Sequence, residues 1–456
     1  MKIVQPRRAR VTRRLALATA LLLLCGGAAA ADLLQAWQQA LATDPTLRAA
    51  DAALQAGREK AVQGRALLLP RVSLSAGASH VDDRSSNAGL PPALAPLVPE
   101  HGSGDTWQAG VQLRQPLYDL QAGAEKRQLQ QQSALAEVQH AQARQDLMQR
   151  VSEAYFGLLL AEENLRVVRA EKAAVGLQRE RAQARFEVGR GKVTDVQEAQ
   201  ARYDHVLARE ISAQSTLSLR QARYRELTGQ AAQGLAPLRE GFQPLPLADD
   251  LEAWQQRGDR QAAAVQTRRG QLVIAAAEVD KHQRAARPTL ALVAGYAARG
   301  QSGGLSALSG SEGSRSASVG VQFSVPLFAG GALDSRLRES LAQRTRAEED
   351  VAAARRDTRL QVQDAFLAVQ TGVARVAALQ QSLRSARSAL EATTLGRDLG
   401  TRTELDVLDA QQRLFSAELD LAQSRSDYLL ARVRLAAAAG VLGEAELQAL
   451  NAELAS

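Results

Sequence analysis

Asp406 and Asp409 lie at the end of the string Gly400-Thr-Arg-Thr-Glu-Leu-Asp-Val-Leu-Asp409, two acids one helical turn apart. A separation of three residues puts both carboxylates on one helix face. Thr403 stands three residues before Asp406, which fits a capping box, so Asp406 also suits the role of first-turn acid. Catalysis finds little else to work with. The five histidines, His80, His101, His140, His205 and His282, are scattered, and none has a metal-ligand spacing such as H-E-x-x-H. The pairs Gly303-Gly304 and Gly330-Gly331 read as loop and strand-exit positions rather than phosphate cradles, and the serine clusters have no histidine partner. The expectation is a protein that is not an enzyme and carries no cofactor or metal.

The aspartate string is one half of a duplication. Gly189-x5-Asp195-Val196-x2-Ala199-Gln200-x-Arg202 recurs 211 residues later as Gly400-x5-Asp406-Val407-x2-Ala410-Gln411-x-Arg413. Ala154-Tyr155 pairs with Ala365-Phe366, Gly229 with Gly440, Pro70 to Gly77 with Pro288 to Gly295, and Val111 to Tyr118 with Val321 to Phe328. Each half reads helix, strand, loop, strand, very long helix, turn, long helix.

The stretch from about Gln121 to Val188 holds no proline and only Gly123, Gly157 and Gly176, so as one helix it would be roughly 100 Å long. Leu147, Val151, Ala154, Leu158 and Leu165 fall on heptad spacings, as do Val362, Phe366, Val369, Val373, Val376 and Leu383 in the partner stretch Leu333 to Leu399. Gly189 and Gly400 mark turns into second helices, about Thr194 to Leu227 and Thr403 to Ala439, predicting antiparallel helical hairpins.

Four other runs have period two. Strands are expected near 71–81, 106–115, 289–298 and 316–326, each with an apolar face (Val72, Leu74; Val111, Leu113; Leu292, Tyr296; Val319, Val321) and a polar one (Ser73, Ser75; Gln112, Arg114; Ser318, Gln322). About ten residues is the length of a tilted strand crossing a bilayer. Asp83 to Asp105 and Arg299 to Arg315 suit surface loops between them. Four strands cannot close a membrane barrel, because an open edge in lipid leaves backbone groups unpaired at several kcal/mol each, so further strands must come from other copies.

Residues 1–31 read as a cleaved signal peptide: five arginines, an apolar run from Leu15 to Leu24, and Ala29-Ala30-Ala31 before Asp32. Cys25, the sole cysteine, belongs either to that apolar run or to a lipidation site with bulky Leu24 before it. Removing the segment lowers Lys+Arg from 56 to 50 against 49 Asp+Glu, a net charge of +1 that gives no reason to expect nucleic acid as a partner. The expected divisions are 32–228 for the first repeat, 229–259 for a linker region with Pro237, Pro244 and Pro246, 260–439 for the second repeat and 440–456 for a C-terminal segment beside the linker.

From Leu34-Gln-Ala-Trp-Gln-Gln-Ala-Leu and Asp44-Pro45 through Leu68-Leu69-Pro70 to the Gly400–Asp409 string, the chain resembles the TolC-type outer-membrane channel proteins of Gram-negative bacteria. The resemblance implies a mixed α and β fold: a homotrimer whose protomers give four strands each to one 12-stranded outer-membrane β-barrel, continuing into a long periplasmic α-helical coiled-coil tunnel. It implies an exit duct for type I protein secretion, joined by a periplasmic adaptor (membrane fusion) protein to an inner-membrane ABC or proton-driven transporter, with the duct of a multidrug efflux pump as the alternative. A periplasmic coiled-coil structural protein is the reading from a different class, and it leaves the amphipathic strands unexplained.

By the same resemblance, Asp406 and Asp409 correspond to acidic rings around the threefold axis at the periplasmic mouth, where crowded carboxylates would attract cations. The family's latch positions fall on Thr194, Asp195 and Arg402. Arg397 stands where a tyrosine is expected; it either replaces the hydroxyl contact by an ion pair to Asp195 or leaves a latch of different strength. The turns carrying Gly189 and Arg190, and Gly400 and Thr401, correspond to the adaptor-docking tips.

Overall fold

The computed structural model describes residues 32–84, 91, 101–232, 234–239, 241–303 and 311–455. The expected signal peptide, with Cys25, and the central parts of both expected loops lie outside those residues. Along the described chain come α1 (Leu33–Thr43), α2 (Pro45–Ala66), β1 (Arg71–Arg84), β2 (His101–Tyr118), α3 (Leu120–Glu187), α4 (Val193–Thr228), α5 (Leu251–Gln261), α6 (Ala263–Gln283), β3 (Thr289–Gly303), β4 (Ser311–Ser324), α7 (Ala332–Asp398), α8 (Glu404–Ala438) and α9 (Glu444–Asn451). The described residues fall into two units, one of 32–49, 142–262 and 356–455 and the other of 50–141 and 263–355, so each unit draws on both repeats.

The second unit holds the sheet. Its order is β1-β2-β3-β4, antiparallel throughout. Cross-strand partners share a face, and the register therefore sorts the side chains. Val72, Leu113, Ala294 and Val319 lie in one row, and Leu74, Val111, Tyr296 and Ala317 in the next. Between those rows, on the opposite face, run Ser73, Gln112, Gly295 and Ser318. The indole of Trp107 lies over its partner Gly300, where an added Cβ would come within 2.3 Å of Nε1. The apolar face is bare: Leu74 is 76% and Val319 78% exposed, which marks a surface built to meet something other than water. The ladders outrun the alternating stretches, reaching Arg84↔His101 between β1 and β2, because backbone pairing needs no particular side chain. β4 stops at Ser324, before Pro326, which has no N–H to donate.

The first unit contains the main apolar core. Trp37 of α1, Tyr155 and Leu158 of α3, Leu429 and Leu435 of α8 and Leu447 and Leu450 of α9 are buried in it. Two phenols tie down the irregular segment after α4: Tyr155 donates to the carbonyl of Ala236 at 3.0 Å and Tyr428 to that of Leu245 at 2.9 Å. The C-terminus joins the same segment through an isolated antiparallel bridge between Leu238 and Leu454. Asp44, buried ahead of α2, accepts from the backbone N–H of Leu47 at 2.9 Å and pairs with Arg150 at 2.9 Å. Burial pushes its carboxyl up, but the Thr46 hydroxyl, the Leu47 N–H and Arg150 together outweigh that and hold it below the ordinary carboxylate value.

The heptads are only partly covered within one chain. On α7, Val362, Val369 and Val376 are fully buried while Phe366, Val373 and Leu383 are half-buried; on α3, Leu147, Val151, Leu158 and Leu165 are buried and Ala154 is not. On α7 one layer of the seam meets the chain's own helices and the other is left partly open, whereas the α3 seam is covered except at Ala154.

Gly440, just after α8, has φ of +73°, and a Cβ there would stand 2.3 Å from the carbonyl oxygen of Gln261. Gly400 has φ of +79° with nothing within 4 Å. Both positions penalise an L side chain by about 1–2 kcal/mol, but only Gly440 adds a clash with backbone. Gly440→Ala is expected to lower the unfolding temperature in detergent well beyond Gly400→Ala, and equal shifts in the two melting curves would contradict the packing described.

Candidate functional site

The two helix turns are built alike. After α3, Gly189 adopts φ of +71° and the N–H of Arg190 donates to the carbonyl of Arg185 at 2.8 Å. After α7, Gly400 adopts φ of +79° and the N–H of Thr401 donates to the carbonyl of Gly396 at 2.8 Å. These bonds close the orphan carbonyls of each helix end in the manner of a Schellman motif. They are related by the same offset of 211 residues that relates the sequences.

The following helices start differently. On α8, Thr403 and Asp406 form the full capping box: the N–H of Asp406 donates to Thr403 Oγ1 at 3.1 Å and the N–H of Thr403 donates to Asp406 Oδ2 at 2.8 Å. On α4 the corresponding residue is Lys192, which makes no side-chain cap. The backbone N–H and then the hydroxyl of Thr403 hold the Asp406 carboxyl below its ordinary value, with Arg402 and Arg413 adding to the effect.

Asp409, one turn on, pairs with Arg202 of α4 at 2.7 Å. The same guanidinium reaches Glu198, four residues earlier on its own helix, at 3.4 Å. Behind the pair, Leu408 of α8 packs against Val168, Val175 and Val206, with Tyr203 beside them and Arg179 over the Tyr203 ring at 4.4 Å. A second ionic link involves Glu404, approached by Arg185 of α3 at 3.2 Å and by Arg397 of α7 at 3.5 Å.

Arg397 thus spends its charge on Glu404 and on Asp398, at 2.7 Å, rather than on Asp195. Thr194, Asp195 and Arg402 are exposed, and among the described residues no ion pair joins them within the chain. Gly189, Arg190, Gly400 and Thr401 are likewise exposed. Between the turns lies a groove of about 270 Å³ lined by Arg185, Arg190, Lys192, Asp195, Glu198 and Glu404 among others, charged on both sides. Reading the sequence missed Arg185, Glu198, Arg202 and Glu404. The duplication held the signal for two of them, since Glu198/Arg202 and Asp409/Arg413 repeat an acid four residues before an arginine. Among the described residues no group of His, Cys, Asp or Glu is disposed to hold a metal ion.

Comparison with known proteins places the chain among transport proteins. The family model described as outer membrane efflux protein matches residues 36–230 and 252–441. The outer membrane protein TolC of Vibrio cholerae is 33% identical over 426 residues, covering 93% of this chain and 94% of that protein. The alkaline protease secretion protein AprF of Pseudomonas aeruginosa is 33% identical over 442 residues, covering 96% and 90%. The crystal structure of the outer membrane protein VceC from Vibrio cholerae superposes with a TM-score of 0.71 at 22% identity, over 90% of this chain and 96% of that one. That likeness carries the fold.

The capping box makes the start of α8 sensitive to pH. Because the folded carboxyl of Asp406 is held below its unfolded value, its contribution is complete above the ordinary carboxylate range and disappears as pH falls through the depressed value. Above that range residues 404–407 are expected to be better protected than the corresponding uncapped turn of α4, and acidification should erase the difference, as amide hydrogen exchange would report. In Thr403→Ala that difference between the two helices should vanish.

Proposed function

The chain belongs to the outer membrane efflux protein family, the TolC-type channels of the Gram-negative outer membrane, and on that premise we propose that it is the exit duct of a tripartite efflux assembly, working as a homotrimer with a periplasmic adaptor and an inner-membrane transporter. It is an outer-membrane channel for export, not an enzyme. The observation that carries the reading is the open sheet, with one apolar face bare and the outer edges of β1 and β4 unpaired in the chain. Three copies set edge to edge would close it into twelve strands and leave no backbone group unsatisfied in lipid. The efflux description of the matching family supports small molecules as cargo.

Protein export is the second reading, the one reading the sequence put first. The names of AprF and of the proteases secretion protein PrtF of Dickeya chrysanthemi, 29% identical over 96% of this chain, favour it. Deleting the gene separates the two. Small-molecule efflux requires lowered minimal inhibitory concentrations with an unchanged secretome, and protein export requires the reverse.

At the periplasmic mouth, Asp406 and Asp409 would form the carboxylate rings. Thr194, Asp195 and Arg402 would latch neighbouring helix pairs, Arg397 acting through Glu404. The exposure of Thr194, Asp195 and Arg402, with no ion pair to them among the described residues, supports partners in an adjoining copy. The turns at Gly189-Arg190 and Gly400-Thr401 would receive the adaptor, and the charged groove between them favours an adaptor tip with polar contacts.

Replacing Asp406 and Asp409 together by alanine is expected to reduce cation selectivity and weaken block by multivalent cations in planar-bilayer recordings; unchanged selectivity would mean that the carboxylates do not line the pore. Val111→Lys or Val321→Lys, on the bare apolar face, should cost about 2–4 kcal/mol near the bilayer midplane and lower the yield of detergent-extracted trimer. Lysine at Gln112 or Gln322 should be tolerated, and equal damage on both faces would contradict the assignment.

A further inference from the structure

The duplication relates two ionic motifs that the chain uses unequally. Glu198 and Arg202 on α4 correspond, 211 residues on, to Asp409 and Arg413 on α8. Within the chain the arginine of the first repeat takes the acid of the second, Arg202 to Asp409 at 2.7 Å. Its mirror, the arginine of the second repeat with the acid of the first, does not form. Arg413 is exposed and makes no ion pair among the described residues, while Glu198 has only the longer side of the Arg202 fork, at 3.4 Å. The links from Arg185 and Arg397 to Glu404 have no mirror to make, because Glu404 corresponds to Val193, and the arginines to Gly396 and Phe186.

When a duplicated chain assembles around an axis, first and second repeats alternate, and each second repeat meets the first repeat of the next copy. The contact made inside the chain is then repeated between copies with the roles exchanged. We propose that Arg413 pairs with Glu198 of the adjoining copy, so that the trimer carries a girdle of six arginine–carboxylate pairs just above the mouth, three within chains and three between them. The occupant of the open α8 face is therefore a second copy of this chain, matched by charge and by the repeat. In this girdle the Asp409 carboxylates are each neutralised by an arginine, and the free negative charge of the mouth rests on Asp406. The inference rests on the trimeric reading above.

The test uses the full-length protein with Cys25, its only cysteine, replaced by serine. Cysteines in place of two long ion-paired side chains stand further apart than a disulfide spans, so a short bis-maleimide is the probe. Glu198→Cys with Arg413→Cys is expected to give covalent dimers and trimers on boiled denaturing gels, whereas Arg202→Cys with Asp409→Cys should crosslink within one chain and give none. A trimer by native mass measurement that yields no covalent oligomer from the first pair overturns the inference and leaves the trimer standing. A monomer by the same measurement overturns both. As a functional check, Arg413→Glu should raise resting conductance several-fold, and adding Glu198→Arg should restore it; failure of the double exchange to restore the parent level would also reject the pairing.

Discussion

The outer edges of β1 and β4 carry backbone N–H and C=O groups that the sheet leaves unpaired, and in hydrocarbon each such group costs several kcal/mol because no water is present to replace the missing bond. That cost makes the single chain an incomplete object in the outer membrane. In the proposed assembly it is the strands, before the helices, that call for further copies. The bare apolar residues alone would be met by lipid. The edges are met only by another sheet.

The helices show the same incompleteness in milder form. Val362, Val369 and Val376 are sealed within the chain while Phe366, Val373 and Leu383 stay half-open, so the α7 seam has one satisfied and one partly open layer. At the turns the waiting groups are charged. Water can solvate an exposed Asp195, Arg402 or Arg413, so these contacts are weak individually and adjustable. In the proposed trimer, a barrel held by backbone pairing and a mouth held by ionic contacts would suit a duct that stays assembled while one end opens.

The site illustrates how a duplicated sequence makes unequal parts. Both turns close with the same bonds after a left-handed glycine, yet only α8 begins with a capping box, because Lys192 stands where Thr403 does. Arg397 and Glu404 add charge at one turn that the other lacks. Pairs and caps of this kind make two nearly identical hairpins chemically different.

Much of this was legible in the residues themselves. Period-two alternation with bounded length marked the four strands, heptad spacing without proline marked the long helices, and the capping box at Thr403 and Asp406 was readable because its bonds span only three residues. These features depend on neighbours close in sequence, where local sterics and side-chain direction decide the outcome. The duplication showed which positions are equivalent but not which of them meet. That Arg202 takes Asp409, that Arg397 turns to Glu404 and leaves Asp195 exposed, and that Tyr155 and Tyr428 pin the segment between the repeats were decided only by the tertiary structure. The reason is physical: a long side chain on a helix can reach several partners at similar cost, and which one it takes depends on how the helices pack around Leu408 and its neighbours, a matter of residues hundreds of positions apart.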